Sequence, residues 1–421
     1  MNSPPISTRP SKRCWDGPSP HGSPLPRICY ELLIPAFALH RSSFAMVLVS
    51  YLTSAASLAV AALLAAEANA ATFLACPTAP AVPQDRRKDT SQLKYTTYNT
   101  EFLMLNGFGS SPKCPGASCP WVNATEADLH IAQVAKVIVQ LDSDMLQLNE
   151  VEDCYVLQTL IKKIEALGDA TYKPYLVRGT DTATGQNSAL LTRVDPSVDL
   201  KRTEKSVSKH FYTTFNVPGF DKPISVIGTH FLANPTNNLR CFDREAQATV
   251  LAGLVDAAVL RGEEVILSGD INDWSKAVPD RNSNMPISNV LAILTGTSMV
   301  ETASFAPQES RYTEWWDENE DCVYSTAESS SLDHVLVSKG LAARISDVTF
   351  GNNLYTGACG SYNSDHWPIT VTIKASTASI TSTPTTTAPA TTAPAITPTP
   401  TTQAPVTPTT PEPTLPVKPS C

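Results

Sequence analysis

Apolar residues recur along the middle of the chain with two spacings, one typical of helices and one typical of strands. Helical spacing predicts helices at residues 126–141, 153–168, 243–261 and 286–295. Short apolar runs between turn residues predict strands at 94–103, 145–149, 174–178, 187–192, 210–216, 223–229, 265–267, 332–337, 345–350 and 368–373. Because strands outnumber helices and hairpins mix with helical crossovers, we expect an α/β sandwich of two packed, mostly antiparallel sheets flanked by helices.

The N-terminal part of the chain has the pattern of a secretory signal. Residues 44–66 are apolar and uncharged, and Ala68-Asn69-Ala70 fits a small-x-small cleavage site. We interpret residues 46–70 as a signal peptide whose natural start is Met46, and residues 1–45 as a mis-assigned start or an extra leader. The alternative is a single-pass anchor, since about twenty apolar residues can span a bilayer. Both interpretations place the following residues outside the cytosol.

The C-terminal segment, residues 376–421, is composed mainly of Thr, Pro, Ala and Ser. Such a composition leaves little apolar surface to offset chain entropy, so we expect a disordered tail that resembles an O-glycosylated stalk. The folded domain is therefore expected at residues 75–375. The formal net charge of −9 does not attract polyanions at long range, so a phosphate ester would need a local positive site.

Cysteine usage agrees with an extracellular location. Of ten cysteines, eight follow the predicted cleavage site, and in a secreted chain most of these should form disulfides. Cys114 and Cys119 are close enough in sequence to close a small loop, whereas the other pairings stay open. Asn123-Ala124-Thr125 is a candidate N-glycosylation site.

Three predicted strands finish in an ionisable group, and a fourth begins just after a pair of such groups. Glu150, His230, Asp270 and the pair Asp365-His366 each lie at such a strand end. Carboxylates and imidazoles gathered at one edge of a sandwich indicate a metal-assisted hydrolytic site. Taken singly, each has a plainer interpretation: a solvated strand-end carboxylate, a satisfied core histidine, or an Asx turn.

Individual chemistry can be assigned to these residues. Glu150 and the carbonyl oxygen of Asn99 suit Mg²⁺, with Mn²⁺ or Ca²⁺ as alternatives. Asp270 and Asn272, two residues apart, can orient a water or a phosphate oxygen. Asp333 can fix the tautomer of His366. Strand alternation places His334 on the face opposite to Asp333, which makes His334 a control outside the site.

These motifs together resemble the endonuclease/exonuclease/phosphatase superfamily, with its deoxyribonuclease-I-like four-layered sandwich. The resemblance covers about residues 92–374, and additional motifs resemble a secreted extracellular-nuclease branch. It implies that Asn99 and Glu150 hold the metal. It implies that the catalytic residues are His230, Asp270, Asn272, Asp333, Asp365 and His366. The family's phosphate-contacting Arg has no clear match, so Lys209 or His210 is expected in its place.

Three classes of function are compatible with such a chain. The first is a secreted, metal-dependent endonuclease, monomeric, with DNA or RNA as its substrate and no stable protein partner. The second is a sphingomyelinase-type phosphodiesterase, for which an exposed aromatic hairpin would be needed. Trp315 and Trp316 are the candidates, but neighbouring acids lead us to expect them buried. The third is a non-catalytic secreted binding or effector protein on the same scaffold.

Overall fold

The computed structural model describes residues 75–105, 114, 119–203, 205, 207–355 and 359–376. The predicted leader and signal peptide lie outside these residues, as does the predicted tail from residue 377 onward. The described residues form two β-sheets with helices on the outer faces, as the sequence predicts.

The first sheet has six strands in the order β12-β13-β1-β2-β4-β3. Among the described strands of this sheet, β1 and β2 are parallel and the other pairs are antiparallel. The bounds are β1 Gln92–Leu103, β2 Met145–Val151, β3 Lys173–Leu176, β4 Asn187–Thr192, β12 Ile345–Phe350 and β13 Ile369–Lys374.

The second sheet has five strands in the order β5-β6-β7-β11-β8, and a two-stranded ribbon pairs β9 with β10. In the part of this sheet that the structure describes, β6 and β7 are parallel and the other pairs are antiparallel. The bounds are β5 Lys209–Phe215, β6 Ile224–His230, β7 Glu264–Asp270, β8 Met299–Glu301, β9 Glu314–Trp315, β10 Ser329–Ser330 and β11 Asp333–Ser338.

Five helices accompany the sheets, and each parallel strand pair is joined by one of the longer helices. The bounds are α1 Ala124–Leu141, α2 Cys154–Ala166, α3 Asn238–Leu260, α4 Val290–Thr295 and α5 Lys339–Ala342. Short 3₁₀ turns cover Thr302–Phe305, Gln308–Ser310 and Thr326–Glu328. Crossover helices are required here because a parallel pair cannot be closed by a tight hairpin.

The layers are visible in three hydrophobic clusters. The central cluster joins residues of both sheets, among them Tyr95 and Val371 from the first and Phe211 and Val335 from the second. A second cluster packs α1 and α2 on the outer face of the first sheet. A third packs α3 and α4 on the outer face of the second. The order helix, sheet, sheet, helix is the expected four-layered sandwich.

Two predicted helix starts were wrong. We expected residue 243 to open a helix, but α3 begins at Asn238, where the Asn237 side chain caps the Leu239 amide. The first turn was missed because its apolar residue, Leu239, is 88% exposed and breaks the buried periodicity. Helix α4 starts at Val290 rather than 286, since the Asn289 amide is bound by the Glu245 carboxylate.

Three disulfides close within the described residues: Cys76–Cys154, Cys114–Cys119 and Cys322–Cys359. The second is the small loop expected from sequence. Three such bonds are typical of an oxidising, extracytoplasmic environment. Among the helices of the described part, none combines the length and apolar character needed to cross a bilayer.

Arg193 organises a buried ionic network at the end of the first sheet opposite to Glu150. Its guanidinium lies 2.6 Å from Asp169, 2.5 Å from Asp142 and 3.4 Å from Asp144, and it stacks over the Tyr172 ring. Burial opposes ionisation of Asp169, but hydrogen bonds from Thr171 and Arg193 lower its pKa on balance.

We expect this network to make stability fall in acid. An Asp whose pKa is lower in the folded chain stabilises it above the unfolded value of about 3.9, and this contribution is lost as pH falls below that value. The variant Asp169→Asn lacks it. The melting temperature should therefore drop less between pH 7 and pH 3 in the variant than in the wild type. Equal drops would show that Asp169 does not contribute.

His334 is a buried structural residue, although it does point away from Asp333 as strand alternation predicts. Its Nδ1 lies 3.1 Å from Glu301 Oε1, and its Nε2 donates to the Asp273 carbonyl oxygen at 2.9 Å. Burial opposes protonation, but the Glu301 carboxylate raises the pKa of His334. The pair fastens β11 to β8 and to the turn after β7.

His334→Ala should consequently be a stability variant rather than a neutral control. Removing the imidazole leaves Glu301 buried without its partner, which typically costs about 3–5 kcal/mol. Urea unfolding followed by circular dichroism measures this cost. A free energy of unfolding within about 0.5 kcal/mol of wild type, the range of ordinary surface substitutions, would contradict the assignment.

Candidate active site

Four site residues of the second sheet lie in one register row. Lys209 pairs with His230 across β5 and β6, His230 with Asp270 across β6 and β7, and Asp270 with Asp333 across β7 and β11. Directly paired residues point to the same face of a sheet, with Cβ atoms about 4.5–5.5 Å apart. The row therefore places one ammonium, one imidazole and two carboxylates side by side at one end of the sheet.

The close approach of β6 and β7 in this row depends on Gly269. Its φ is +142°, and a Cβ at this position would collide with the Thr229 carbonyl oxygen. Only glycine fits such a position without displacing a neighbouring backbone. The Gly269-Asp270 step thus holds the Asp270 carboxylate beside the end of β6.

The first sheet brings its own polar ends to the same place. Asn99 pairs with Asn149 across β1 and β2, and Glu150 follows directly. Glu150, with φ of 66°, and Glu101 and Phe102, with φ of 44° and 48°, adopt left-handed backbone that is unfavourable for such residues. Strain of this kind concentrates at functional sites. The resulting turn lets the Phe102 amide donate to Glu150 Oε2 at 2.9 Å.

Asn99 links the two sheets. Its Nδ2 donates to Asp270 Oδ2 at 2.9 Å and lies 3.4 Å from Glu150 Oε1 and 3.5 Å from His366 Nε2. Its Oδ1 accepts the Glu101 amide at 3.1 Å. In this arrangement the amide nitrogen of Asn99, and not its carbonyl oxygen, faces the carboxylates.

His366 forms the second link between the sheets. It precedes β13 of the first sheet, and its Nδ1 lies 2.6 Å from Asp333 Oδ2 of the second. Its Nε2 is left facing Asp270 at 4.0 Å and Asp365 at 3.9 Å. The Asp365-His366 segment is held in place because Ser364 donates to the Asn99 carbonyl oxygen at 2.7 Å and Asp365 N donates to Glu101 at 3.0 Å.

His230 faces the same centre with one ring nitrogen. Its Nε2 lies 3.4 Å from Lys209 Nζ, 3.6 Å from Asp270 Oδ2 and 3.9 Å from Glu150 Oε1. Its Nδ1 is buried and has no hydrogen-bond partner among the described residues. His230 thus differs from His366, whose ring is oriented by a carboxylate.

The two phosphate-binding candidates separate, because they are neighbours on a strand and point to opposite faces. Lys209 lies in the site. His210 lies outside it, with Nδ1 donating to the Val207 carbonyl oxygen at 2.8 Å and Nε2 accepting the Thr203 amide at 2.9 Å. Asn272 lies at the edge of the site in the turn after β7. Its backbone N–H donates to Asp270 Oδ1 at 2.9 Å.

Burial and mutual charge shift the pKa values of the site. Burial, assisted by the Asp333 charge, raises the pKa of Asp270 to about 8. Burial also raises the pKa of Glu150 and lowers that of Lys209. Burial opposes protonation of His366, but the Asp333 carboxylate raises its pKa well above the ordinary value. Strongly shifted groups in one place are typical of functional sites.

The residues fit a hard divalent cation. One oxygen each of Asp270 and Asp333 and a ring nitrogen of His366 lie within 4.8 Å of one another, with Glu150 beside them. Asp333 Oδ1 is buried without a partner among the described residues. Oxygen-rich sets of this type suit Mg²⁺, and a cation would offset the crowding of buried carboxylates.

Sequence analysis missed Gln186, the residue before β4. Its Nε2 donates to Glu150 Oε2 at 2.6 Å, and its Oε1 accepts from Lys209 at 3.3 Å. Only its position at the start of an apolar strand hinted at a role. We expected both Trp315 and Trp316 to be buried. The expectation is confirmed for Trp315 but wrong for Trp316, which is 55% exposed.

Comparison with known proteins yields only distant structural likenesses. No protein-family model and no curated protein sequence matches the chain. Among solved structures, truncated TDP2 from Caenorhabditis elegans aligns at 16% identity and a TM-score of 0.45, covering 68% of this chain and 98% of that one.

Two bacterial structures align similarly. An endonuclease/exonuclease/phosphatase family protein from Leptotrichia buccalis matches at 16% identity and a TM-score of 0.44, over 67% of this chain and 99% of its own. The 3′ phosphatase NExo from Neisseria matches at 16% identity and a TM-score of 0.48, over 66% and 98%. These likenesses are too distant to carry an argument, and the candidate site is assigned from its own geometry.

Proposed function

We propose that this protein is a secreted, divalent-metal-dependent phosphodiester hydrolase whose substrate is extracellular nucleic acid. The observation that carries the proposal is the register row from Lys209 to Asp333, which meets Glu150 and His366 at one sandwich end. Phosphodiester hydrolysis needs a positive group for the phosphate, a base for water and an acid for the leaving oxygen. The row and its neighbours supply all three.

The metal site is the part nearest to Glu150. Glu150 would hold Mg²⁺ through Oε1, whose nearest polar neighbours among the described residues are distant donors at 3.4 and 3.9 Å. Asn99 would assist after its amide group turns its oxygen inward. When bound, the cation supplies charge neutralisation for the phosphate oxygens in the transition state.

The proton transfers fall to the second sheet and to His366. Asp270, with Asn272 at its side, orients the attacking water and accepts its proton. His366, whose ring is fixed by Asp333, protonates or stabilises the leaving oxygen, and Asp365 borders the same nitrogen at 3.9 Å. His230 and Lys209 bind the non-bridging phosphate oxygens through N–H donors.

Nucleic acid is favoured over lipid by the motifs that resemble the extracellular-nuclease branch. A lipid phosphodiester is the second candidate, because Trp316 is exposed beside the β9 strand that pairs with His366. Asp317, Glu318, Glu320 and Asp321 follow Trp316 and would oppose insertion into an anionic surface. The protein is expected to act as a monomer.

The proposal predicts hydrolysis that requires a divalent metal. Purified protein should nick supercoiled plasmid DNA or cleave RNA in Mg²⁺, and EDTA should abolish the reaction. Glu150→Gln removes a charged oxygen ligand, so it should raise the Mg²⁺ concentration for half-maximal rate by about 10-fold or more while the fold is kept. The measurement is the initial rate against Mg²⁺ concentration, with circular dichroism as the check of folding.

Parallel assays separate the other classes. Hydrolysis of sphingomyelin vesicles, with nucleic acid left intact, would favour the lipid candidate. Absence of hydrolysis on both substrates, with and without Mn²⁺ or Ca²⁺, would favour a non-catalytic binding protein. A Glu150→Gln variant with wild-type rate and metal dependence would remove Glu150 from the metal site.

The two imidazoles give a separate prediction. His366→Ala should lower kcat by roughly 10²–10⁴, the usual scale for loss of an acid or base. His230→Ala should lower kcat by about 10²–10³, the scale for loss of one donor that stabilises charge in the transition state. The melting temperature of His230→Ala should stay closer to wild type than that of His334→Ala, because His230 Nε2 lies 3.4 Å or more from its polar neighbours. His366→Ala leaves the buried Asp333 carboxylate without its partner, so this variant should also melt lower, and its rate is measured at a temperature at which it stays folded. If all three variants keep the same rate at the same melting temperature, the site assignment fails.

Asp333→Asn provides the matched test of how His366 is held. The substitution keeps the size of the side chain but removes the charge beside His366 Nδ1, 2.6 Å away. The rate should fall nearly as far as in His366→Ala, and the double variant should be no slower than the slower single variant. Additive losses would indicate that the two residues act independently.

A further inference from the structure

Gln186 lies between a carboxylate and an ammonium that do not touch. Its Nε2 donates to Glu150 Oε2 at 2.6 Å, and Lys209 Nζ donates to its Oε1 at 3.3 Å. The residue is only 3% exposed. Within the described part of the chain, Glu150 and Lys209 form no ion pair at 4 Å or less, although each charge influences the pKa of the other.

The chemistry of this position requires a primary amide. An amide presents a donor to the carboxylate and an acceptor to the ammonium at the same time. A glutamate here would oppose the charge of Glu150, and a lysine would oppose that of Lys209. A small apolar residue would satisfy neither and would leave a space between opposite charges.

The contacts of Glu150 show what the amide preserves. Oε2 accepts two hydrogen bonds, from Gln186 and from the Phe102 amide. Oε1 has only the longer contacts to Asn99 Nδ2 at 3.4 Å and His230 Nε2 at 3.9 Å, and it faces the centre of the site. One carboxylate oxygen is thus anchored while the other is directed inward.

We propose that Gln186 is a spacer that keeps Glu150 and Lys209 from collapsing into a direct ion pair. This inference rests on the proposed function, in which Glu150 Oε1 takes the divalent cation and Lys209 takes the phosphate. A direct pair would occupy both groups with each other. Gln186 is therefore a positioning residue, and it acts on metal and phosphate binding through its two neighbours.

The test is a double-mutant cycle that uses Mg²⁺ binding as its readout. Isothermal titration with MgCl₂ is run on the wild-type chain, Gln186→Ala, Lys209→Met and the double variant. Gln186→Ala should weaken Mg²⁺ binding by roughly 10–100-fold, the scale for partners of metal ligands. The double variant should bind Mg²⁺ within a few-fold of Lys209→Met, because without the ammonium no collapse can occur.

Controls keep the result interpretable. Gln158→Ala removes an exposed glutamine on α2 and should leave Mg²⁺ binding unchanged. Gln186→Ser, which leaves a similar space but keeps a small polar group, replaces the alanine variant if that variant fails to fold. Circular dichroism checks the fold of every variant before titration.

Each outcome decides the proposal. Wild-type Mg²⁺ affinity in Gln186→Ala would overturn it. Weak binding that Lys209→Met does not restore would also overturn it, since Gln186 would then act only by orienting Glu150. If the wild-type chain binds no Mg²⁺, the proposed metal chemistry fails together with this inference. In the first two cases the wild type still binds Mg²⁺, so only the inference fails.

Discussion

The pairing register of the second sheet is the constraint on which the site depends. Because Lys209, His230, Asp270 and Asp333 are direct register partners, their side chains share one face and one end of the sheet. A register shift of one residue between any two of these strands would move one of the four side chains to the opposite face of the sheet. Gly269 supports this register, since only glycine tolerates the contact with the Thr229 carbonyl.

Two hydrogen-bonded contacts then join the polar ends of the two sheets. Asn99 of the first sheet donates to Asp270 of the second, and His366 contacts Asp333. The hydroxyls of Tyr95 and Ser268 make a further buried contact at 2.7 Å deeper between the sheets. Because the sheets are locked in this way, residues separated by more than two hundred positions in sequence are held within a few ångströms.

Concentrating several ionisable groups in one buried place costs stability, because each charge loses hydration. Apolar packing, ion pairs and disulfides in the remainder of the fold offset this cost. Three apolar clusters fill the spaces between layers, the Arg193 network satisfies its own carboxylates, and disulfides tie the loops. The buried charges of the site therefore lower the stability locally, and the well-packed sandwich around them compensates. This arrangement is expected when function requires buried charge.

The sequence by itself determined most of the helices and strands, the arrangement of two packed sheets flanked by helices and most of the residues at the polar strand ends, because apolar periodicity and strand termini are local properties. The four-layered order was implied by the resemblance to a known superfamily. Only tertiary structure decided that Lys209, and not His210, enters the site, that Gln186 separates two charges, and that His334 is a structural ion-pair partner. It also decided that Asn99 presents its amide nitrogen. Those facts depend on strand register and on contacts between distant segments, which local pattern does not encode.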